Sequence, residues 1–492
     1  MPELLFSERY GDYEFQWQRA FGKTYRVKGC LGEDRVFTCD PMTLRYISKN
    51  NQIFTTGYYM RHFTWMLMGE YALPRVYHNV HRRIRLVMNT AFSQSRVQGV
   101  FPILRSISTR AIDKLDEKID ASGLDNPVVD VYHLIQHTTA DAAAEAIMGD
   151  CFNALEDDGS VEVSRIHQNI VFASSTKTKS ALLVDSLLPF IPSMLLRASL
   201  SLPTTTYNLL SRYRKVTAEW SDRLYKQKLE NLRLGLDTGN DLLGISAQEN
   251  EKFRRMMIAA QDTTGNTLAF ALFEFARYPE WQDKVRKEIM QLQGHLSCSN
   301  LDKLIYLNAH IKETLRYYPA LPNNERLAVK DALLPLSAPL KTNDGRTLSE
   351  LHIKKGQLVI IGIASYNRQV DGYHHWHAGL CLSVFRDPDI WGQDAHEFDP
   401  YRWTDERSAT IPTGTAFGPY ANLATFFGGP HICLGWRLAL LEMQVILADL
   451  LSRFLFEEAE GVVIRPCVAV TMQPVSENGI LHLPLQVKKL NP

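Results

Sequence analysis

Apolar positions along the chain recur with more than one period. At Leu304, Leu307, Ile311 and Leu315 they fall three or four apart, the stripe of a helix with one buried face. From Trp436 to Leu451 they crowd every side, through Leu440, Val445 and Leu450, which predicts a helix buried all round. A third long helix is expected over 249–278, closed by Pro279, because proline disfavours helical angles in the residue before it. Residues 101–235 also read as mostly helical. Their apolar centre, 180–203, is broken by Pro189, Pro192 and Pro203, so it predicts a buried helix pair rather than a membrane span.

Strand signals are fewer. TYRVKG and RVFTC, between Tyr25 and Cys39, predict a strand pair turning through Gly32-Glu33-Asp34, after which Asp40-Pro41 starts a helix with an aspartate cap and a first-turn proline. Beyond Pro319, strands should turn at Asn343-Asp344-Gly345 and at Lys355-Gly356. VAVTMQPV and ILHLPLQV predict a closing hairpin around Asn478-Gly479. The expected class is mainly α with a smaller β-rich lobe, α+β. The aromatic and methionine-rich stretch 53–77, with Phe54, Tyr58, Tyr59, Phe63, Trp65, Met66, Met68 and Tyr71, reads by composition as core.

Length alone, at 492 residues, suggests two or three cores. Basic and acidic residues balance at 54 each with no long block of one sign, which argues against a nucleic-acid partner. The seven cysteines, at 30, 39, 151, 298, 381, 433 and 467, show no paired spacing and read as reduced thiols facing a cytosol. No run of about 18 apolar residues occurs, so nothing in the sequence is expected to span a bilayer, and the start, MPELLFSERYGDYEFQWQ, is too polar for a signal peptide.

Candidate chemistry centres on one cysteine. In Phe426-x-x-Gly429-x-x-x-Cys433-x-Gly435 the glycines allow a loop to press against a flat group. Cys433 stands at the N-terminal end of the apolar helix, where free N–H groups favour a thiolate. A lone cysteine ahead of a core helix is ordinarily an inert thiol, so the reading depends on its company. His81 and Arg85 lie one helical turn apart on one face. Ala259-Ala260-Gln261-Asp262-Thr263-Thr264 sits inside the 249–278 helix, where a threonine hydroxyl can bond a carbonyl one turn back and open the helix locally. Glu313 and Arg316, three apart, can pair, and Phe398-Asp399-Pro400-Tyr401-Arg402-Trp403 supplies a second arginine.

Together, in this order, these motifs closely resemble the signature of the cytochrome P-450 superfamily of haem-thiolate monooxygenases, from about Gly22 to Leu490. The resemblance implies the P-450 fold in one domain over 1–492, with the haem between two long helices. The type is eukaryotic, microsomal and fungal. It implies haem b (iron protoporphyrin IX) ligated by the Cys433 thiolate, which pushes electron density onto iron and favours O–O cleavage. Phe426, Gly429 and Gly435 would shape the haem loop, and His81, Arg85, Arg326 and His431 would hold the propionates. Asp262 would relay protons and Thr263 would deliver them beside the iron. Glu313, Arg316 and Arg402 would form a structural cluster behind the loop.

Because the chain carries no GxGxxG fingerprint, electrons would come from NADPH through a separate cytochrome P-450 reductase, with cytochrome b5 as a second donor. The substrate would be a lipophilic small molecule, and the location the cytosolic face of the endoplasmic reticulum membrane. Without an anchor the chain could equally be cytoplasmic. Two rival readings remain: a reductase-independent haem-thiolate isomerase or dehydratase, and a haem-binding sensor or decayed copy. The family's usual glycine is replaced by Ala260, and the approach to the 249–278 helix is shorter than in relatives. Residues 369–386 interrupt the match. Their His374, His375 and His377 lack acidic or cysteine partners at metal-binding spacing, so the segment reads as a retained intron rather than a metal site.

Overall fold

The computed structural model describes residues 9–69, 72, 73, 75–156, 204–234, 257–369, 391, 392, 394–404 and 417–490, with single positions between 157 and 203. The helices that carry the argument are α1 (Asp12–Phe21), α2 (Pro41–Lys49), α3 (Tyr58–Met68), α4 (His78–Ala91), α5 (Phe101–Ser122), α6 (Val131–Ala142), α7 (Thr205–Arg233), α8 (Met257–Arg277), α9 (Pro279–Met290), α10 (Ile305–Tyr317) and α11 (Trp436–Arg453). The strands are β1 (Thr24–Lys28), β2 (Asp34–Thr38), β3 (Phe54–Thr56), β4 (Val128–Asp130), β5 (Asn323–Ala328), β6 (Ala332–Lys341), β7 (Thr347–Ile353), β8 (Leu358–Gly362), β9 (Phe454–Glu458), β10 (Ile464–Val468), β11 (Met472–Ser476) and β12 (Pro484–Lys489).

Local chemistry sets these boundaries. Asp40 caps α2 by accepting the Thr43 amide at 2.9 Å, with Pro41 in the first turn. Pro279 closes α8 and opens α9. Gly345, at φ 83°, turns β6 into β7, where a side chain would be strained. The five-stranded sheet has the order β1-β2-β8-β5-β3, with β2 and β8 parallel and the other neighbours antiparallel. Its apolar face, including Val36, Val359 and Ile361, packs with Leu44 and Ile47 of α2 in one compact core.

The larger core is helical. Leu104 and Ile107 of α5, Ile135 of α6, Leu268 and Leu272 of α8, Leu307 and Leu315 of α10, and Val445 and Leu447 of α11 are all buried in it. The stripe read on α10 is buried at every position, and α11 is enclosed from Leu438 to Leu451 apart from Ala439 and Leu440. Burying each such side chain contributes about 1.5–3 kcal/mol. This core holds α8 against α11, so the helix that carries Asp262 and Thr263 packs on the helix that follows Cys433.

One expectation holds in part and one changes. The core reading of 53–77 fits Phe54, a buried strand residue, and Trp65, which with Leu67 forms the inner face of α3. The closing hairpin is barely formed. Asn478-Gly479 does turn, with the Gly479 amide donating to the Ser476 carbonyl at 2.9 Å, but beyond it the two arms share one bridge, Val475 to Leu481. β11 pairs instead with β10, and β12 leaves for a second sheet between β4 and β9. Turn chemistry fixed the corner, whereas the available strand edges fixed the partners. The 369–386 insert beyond Gln369, Tyr71, residues 249–256 and most of 180–203 lie outside the described residues.

Candidate functional site

The loop before α11 is shaped by close backbone approaches. Gly429 adopts φ 63°, and a Cβ there would lie 2.7 Å from the Ser48 carbonyl oxygen of α2. Its role is therefore to turn the loop against α2, a more local reason than contact with a flat group. Gly435 is different: a Cβ there would meet only Phe92, at 3.9 Å, so the chain itself leaves that side open. The Cys433 amide donates to the Phe426 carbonyl at 2.8 Å, closing the loop, and buried Phe426 lies against Trp436 with ring centroids 6.4 Å apart. Cys433 is exposed at its surface yet enclosed by protein, so it borders an internal space rather than bulk water. Burial pushes its thiol up, against the opposing pull of the Gly435 amide and the Arg85 guanidinium. The Gly435 amide at the start of α11 thus acts in the direction expected of the helix end, favouring the thiolate against the cost of burial.

Above this loop the structure brings together all four predicted anion partners. His81 of α4 is buried, and its ring lies 4.5 Å from that of His431. Arg85, one turn on, donates to the Ile432 carbonyl at 3.0 Å, next to the cysteine. Arg326 of β5 is buried; it donates to Asn324 Oδ1 at 2.7 Å and stacks 4.8 Å over the Phe427 ring. Burial pushes Arg326 down to about 10. Burial, with Arg85 and Arg326 nearby, pushes His81 down to about 4. Burial, with Arg326, His81 and Arg85 nearby, pushes His431 down to about 3. Among the described residues no carboxylate pairs with either arginine. Two guanidiniums and two neutral imidazole donors thus converge with no anion of the chain to meet them, and haem propionates supply two carboxylates. The residues fit the group.

On the opposite side, α8 carries Asp262, which is buried, and Thr263. The Thr263 hydroxyl donates to the Ala259 carbonyl at 2.7 Å, and Thr267 repeats the bond to Thr263 at 2.8 Å. The predicted back-bond forms, but the helix continues without a break. Ala260 packs against the main core.

Sequence reasoning missed the polar network one turn on. Asn266 accepts from Tyr132 at 3.0 Å and from Gln136 at 2.9 Å, and donates to Thr471 at 2.9 Å. Gly265 permits this, because a Cβ there would sit 2.8 Å from Gln136 Nε2. Burial, and secondarily the Asp262 carboxylate, push the Tyr132 hydroxyl far up, so it stays protonated as a donor. The available signal was an asparagine four residues after Asp262 on an otherwise apolar helix face.

The Glu313 cluster is closed on itself. Arg316 holds both carboxylate oxygens of Glu313, at 2.7 and 2.8 Å, and donates to the carbonyls of Asn367, Ala395 and Glu397. Glu313 also accepts the Asp399 amide and Trp403 Nε1, each at 2.8 Å, while Arg402 Nε stands 3.7 Å away. All three charged side chains are buried, so this is no surface ion pair. It ties α10 to the 391–403 segment that leads to the cysteine loop.

The family model for Cytochrome P450 matches residues 3–375 and 380–478, with its one interruption inside the 369–386 segment. Among curated proteins the chain is similar to Cytochrome P450 monooxygenase 91 of Postia placenta, 27% identical over 96% of this chain and 88% of that protein. It is also similar to a ganoderic acid synthetase of Ganoderma lucidum, 25% identical over 83% of this chain and 77% of that one. Among solved structures, a cytochrome P450 haem domain superposes with a TM-score of 0.70 over 97% of this chain and 92% of its own, at 17% identity.

Proposed function

The chain belongs to the cytochrome P450 family, a haem-thiolate monooxygenase that takes electrons from a redox partner and acts on a small molecule, and from that premise we propose how its own residues serve the reaction. Cys433 is the thiolate ligand. When bound, the haem supplies activation of dioxygen, with one atom entering substrate and the other leaving as water. Arg85 and Arg326 neutralise the propionates, and His81 and His431 donate to them as neutral imidazoles. Phe426 and Gly429 hold the loop that presents Cys433, and Gly435 leaves room beside it. Asp262 carries protons inward along α8, and the Thr263 hydroxyl passes them on beside the iron. Asn266, fixed from three sides, keeps this stretch of α8 in register with α6.

The electron donor is an NADPH-cytochrome P-450 reductase, with cytochrome b5 as a second donor, and the substrate is a lipophilic molecule of fungal secondary metabolism. The aromatic face of α3 supports an apolar substrate. Leu183, Phe190, Met194 and Leu195 are exposed, which supports contact with the cytosolic face of the endoplasmic reticulum membrane; no helix of the described residues is long and apolar enough to cross it. The 1–492 chain acts as one domain into which 369–386 is inserted.

The observation that carries the reading is the cation cluster of buried Arg326 and half-buried Arg85, with no carboxylate partner among the described residues, set against the Cys433 loop. Its test is the absorption spectrum of reduced protein under carbon monoxide, for wild type and Cys433→Ser. A long-wavelength Soret band in the wild type that is lost in the variant is expected. Wild-type protein lacking the band overturns the assignment. NADPH consumption that requires added reductase then separates oxygen insertion from a reductase-independent rearrangement.

A further inference from the structure

One group in the cation cluster has no role in the propionate set above. Tyr77 immediately precedes α4, and its carbonyl accepts the His81 amide at 3.3 Å, which places it one turn before the histidine. Its hydroxyl is buried and, among the described residues, has no hydrogen-bond partner. A buried hydroxyl left unmade costs about 1–3 kcal/mol, so such a group calls for an acceptor. The hydroxyl lies within electrostatic reach of Arg326, the most buried cation of the cluster. A guanidinium can accept nothing, so Arg326 cannot take the hydrogen bond that the tyrosine O–H has to give, nor can the tyrosine neutralise the arginine. An acceptor with negative charge placed between them would answer both.

We propose that the Tyr77 hydroxyl donates a hydrogen bond to the haem propionate held by Arg326, making it a fifth haem-positioning residue. This rests on the haem reading above. The spacing Tyr77-x-x-x-His81-x-x-x-Arg85 puts three donors on consecutive turns of one chain segment, with Arg326 and His431 closing the site from the strand lobe and the cysteine loop. A charge-assisted bond of this kind is stronger than a neutral one, and Tyr77 makes it without adding charge to a cluster already carrying two cations.

The test is the rate of haem transfer from the holoprotein to an excess of a haem-scavenging apoprotein, for wild type and Tyr77→Phe. Removing the hydroxyl is expected to speed haem loss about tenfold, with Cys433 ligation and the carbon-monoxide spectrum retained. The same pair is then reconstituted with the dimethyl ester of haem, in which both propionates have lost their charge. There the Tyr77→Phe effect should shrink to within about twofold. Equal rates for wild type and variant with ordinary haem overturn the proposal, as does an undiminished effect with the ester, which would make Tyr77 only a packing residue. Wild type that takes up no haem at all overturns the haem reading as well, and is distinguished by its missing spectrum.

Discussion

Two buried clusters of charge lie on either side of the cysteine loop, and they are built on opposite principles. Around Glu313 the strong groups find partners from the chain: two carboxylates, Glu313 and Asp394, two arginines, a tryptophan N–H and a set of carbonyls. Around Arg326 and Arg85 the positive groups accumulate, and among the described residues their acceptors are neutral: Asn324 Oδ1 and the carbonyls of Glu325 and Ile432. A cluster of the first kind holds a fold together. One of the second kind costs stability until an external anion arrives, and so marks where something else binds.

Breaking the closed cluster should have the largest effect. Glu313→Gln leaves Arg316 buried without a counter-charge, while Arg402 keeps Asp394 at 3.1 Å, and the expected loss is about 3–5 kcal/mol, read as a lowered urea midpoint at unchanged slope. The loss should be the same with and without haem, since no atom of this cluster belongs to the haem site. A loss confined to the haem-loaded protein would show that the two clusters are not independent.

The open cluster should respond with a change of sign. In haem-free protein Arg326→Gln removes an unpaired buried cation, and stability should stay level or rise. In haem-loaded protein the same change removes a charge-assisted bond and should lower stability by about 1–3 kcal/mol. Urea unfolding of both forms checks this. Destabilisation of equal size in both would mean that Arg326 is a packing residue and that the cluster is closed by something other than haem.

These two clusters were legible to different degrees. The pairing of Glu313 with Arg316 follows from helical spacing alone, but its burial does not: that depends on Asp399, Trp403 and three carbonyls from another part of the chain. His81 and Arg85 could be placed on one face, whereas bringing Arg326 and His431 to them needed the fold. The Asp40-Pro41 cap, the Asn343-Asp344-Gly345 corner and the Cys433 loop were readable because each is settled within a few residues. The closing hairpin was not, because β12 finds its partners at β4 and β9, far off in sequence. Asn266 and Tyr77 escaped notice for a related reason: an asparagine or a tyrosine acquires significance only when its partner, or the lack of one, is visible in space.

The smallest expected difference between the clusters is in pH dependence, and it separates them by sign and by window. Burial draws the Glu313 carboxyl up, but Arg316 and Arg402 outweigh it and leave it below the usual glutamate range. A carboxylate held low contributes stability above its unfolded pKa and loses it as pH falls through the folded value, so the Glu313 contribution should persist through mild acid. His81 is instead held down at about 4 from an ordinary 6.5. In haem-free protein the unfolded chain takes up that proton first, so the His81 share of stability should fall as pH drops through 6.5 and level off below about 4, beside similar shares from His431, His310 and His396. His81→Gln should remove one proton's share of this slope without touching the Glu313 limb. Bound propionates favour the charged imidazole and should flatten it as well. Haem and His81→Gln are therefore expected to have the same effect on the slope between pH 6.5 and 4, and not to add. Additive effects would place the propionates away from His81 and return the open cluster to a purely structural role.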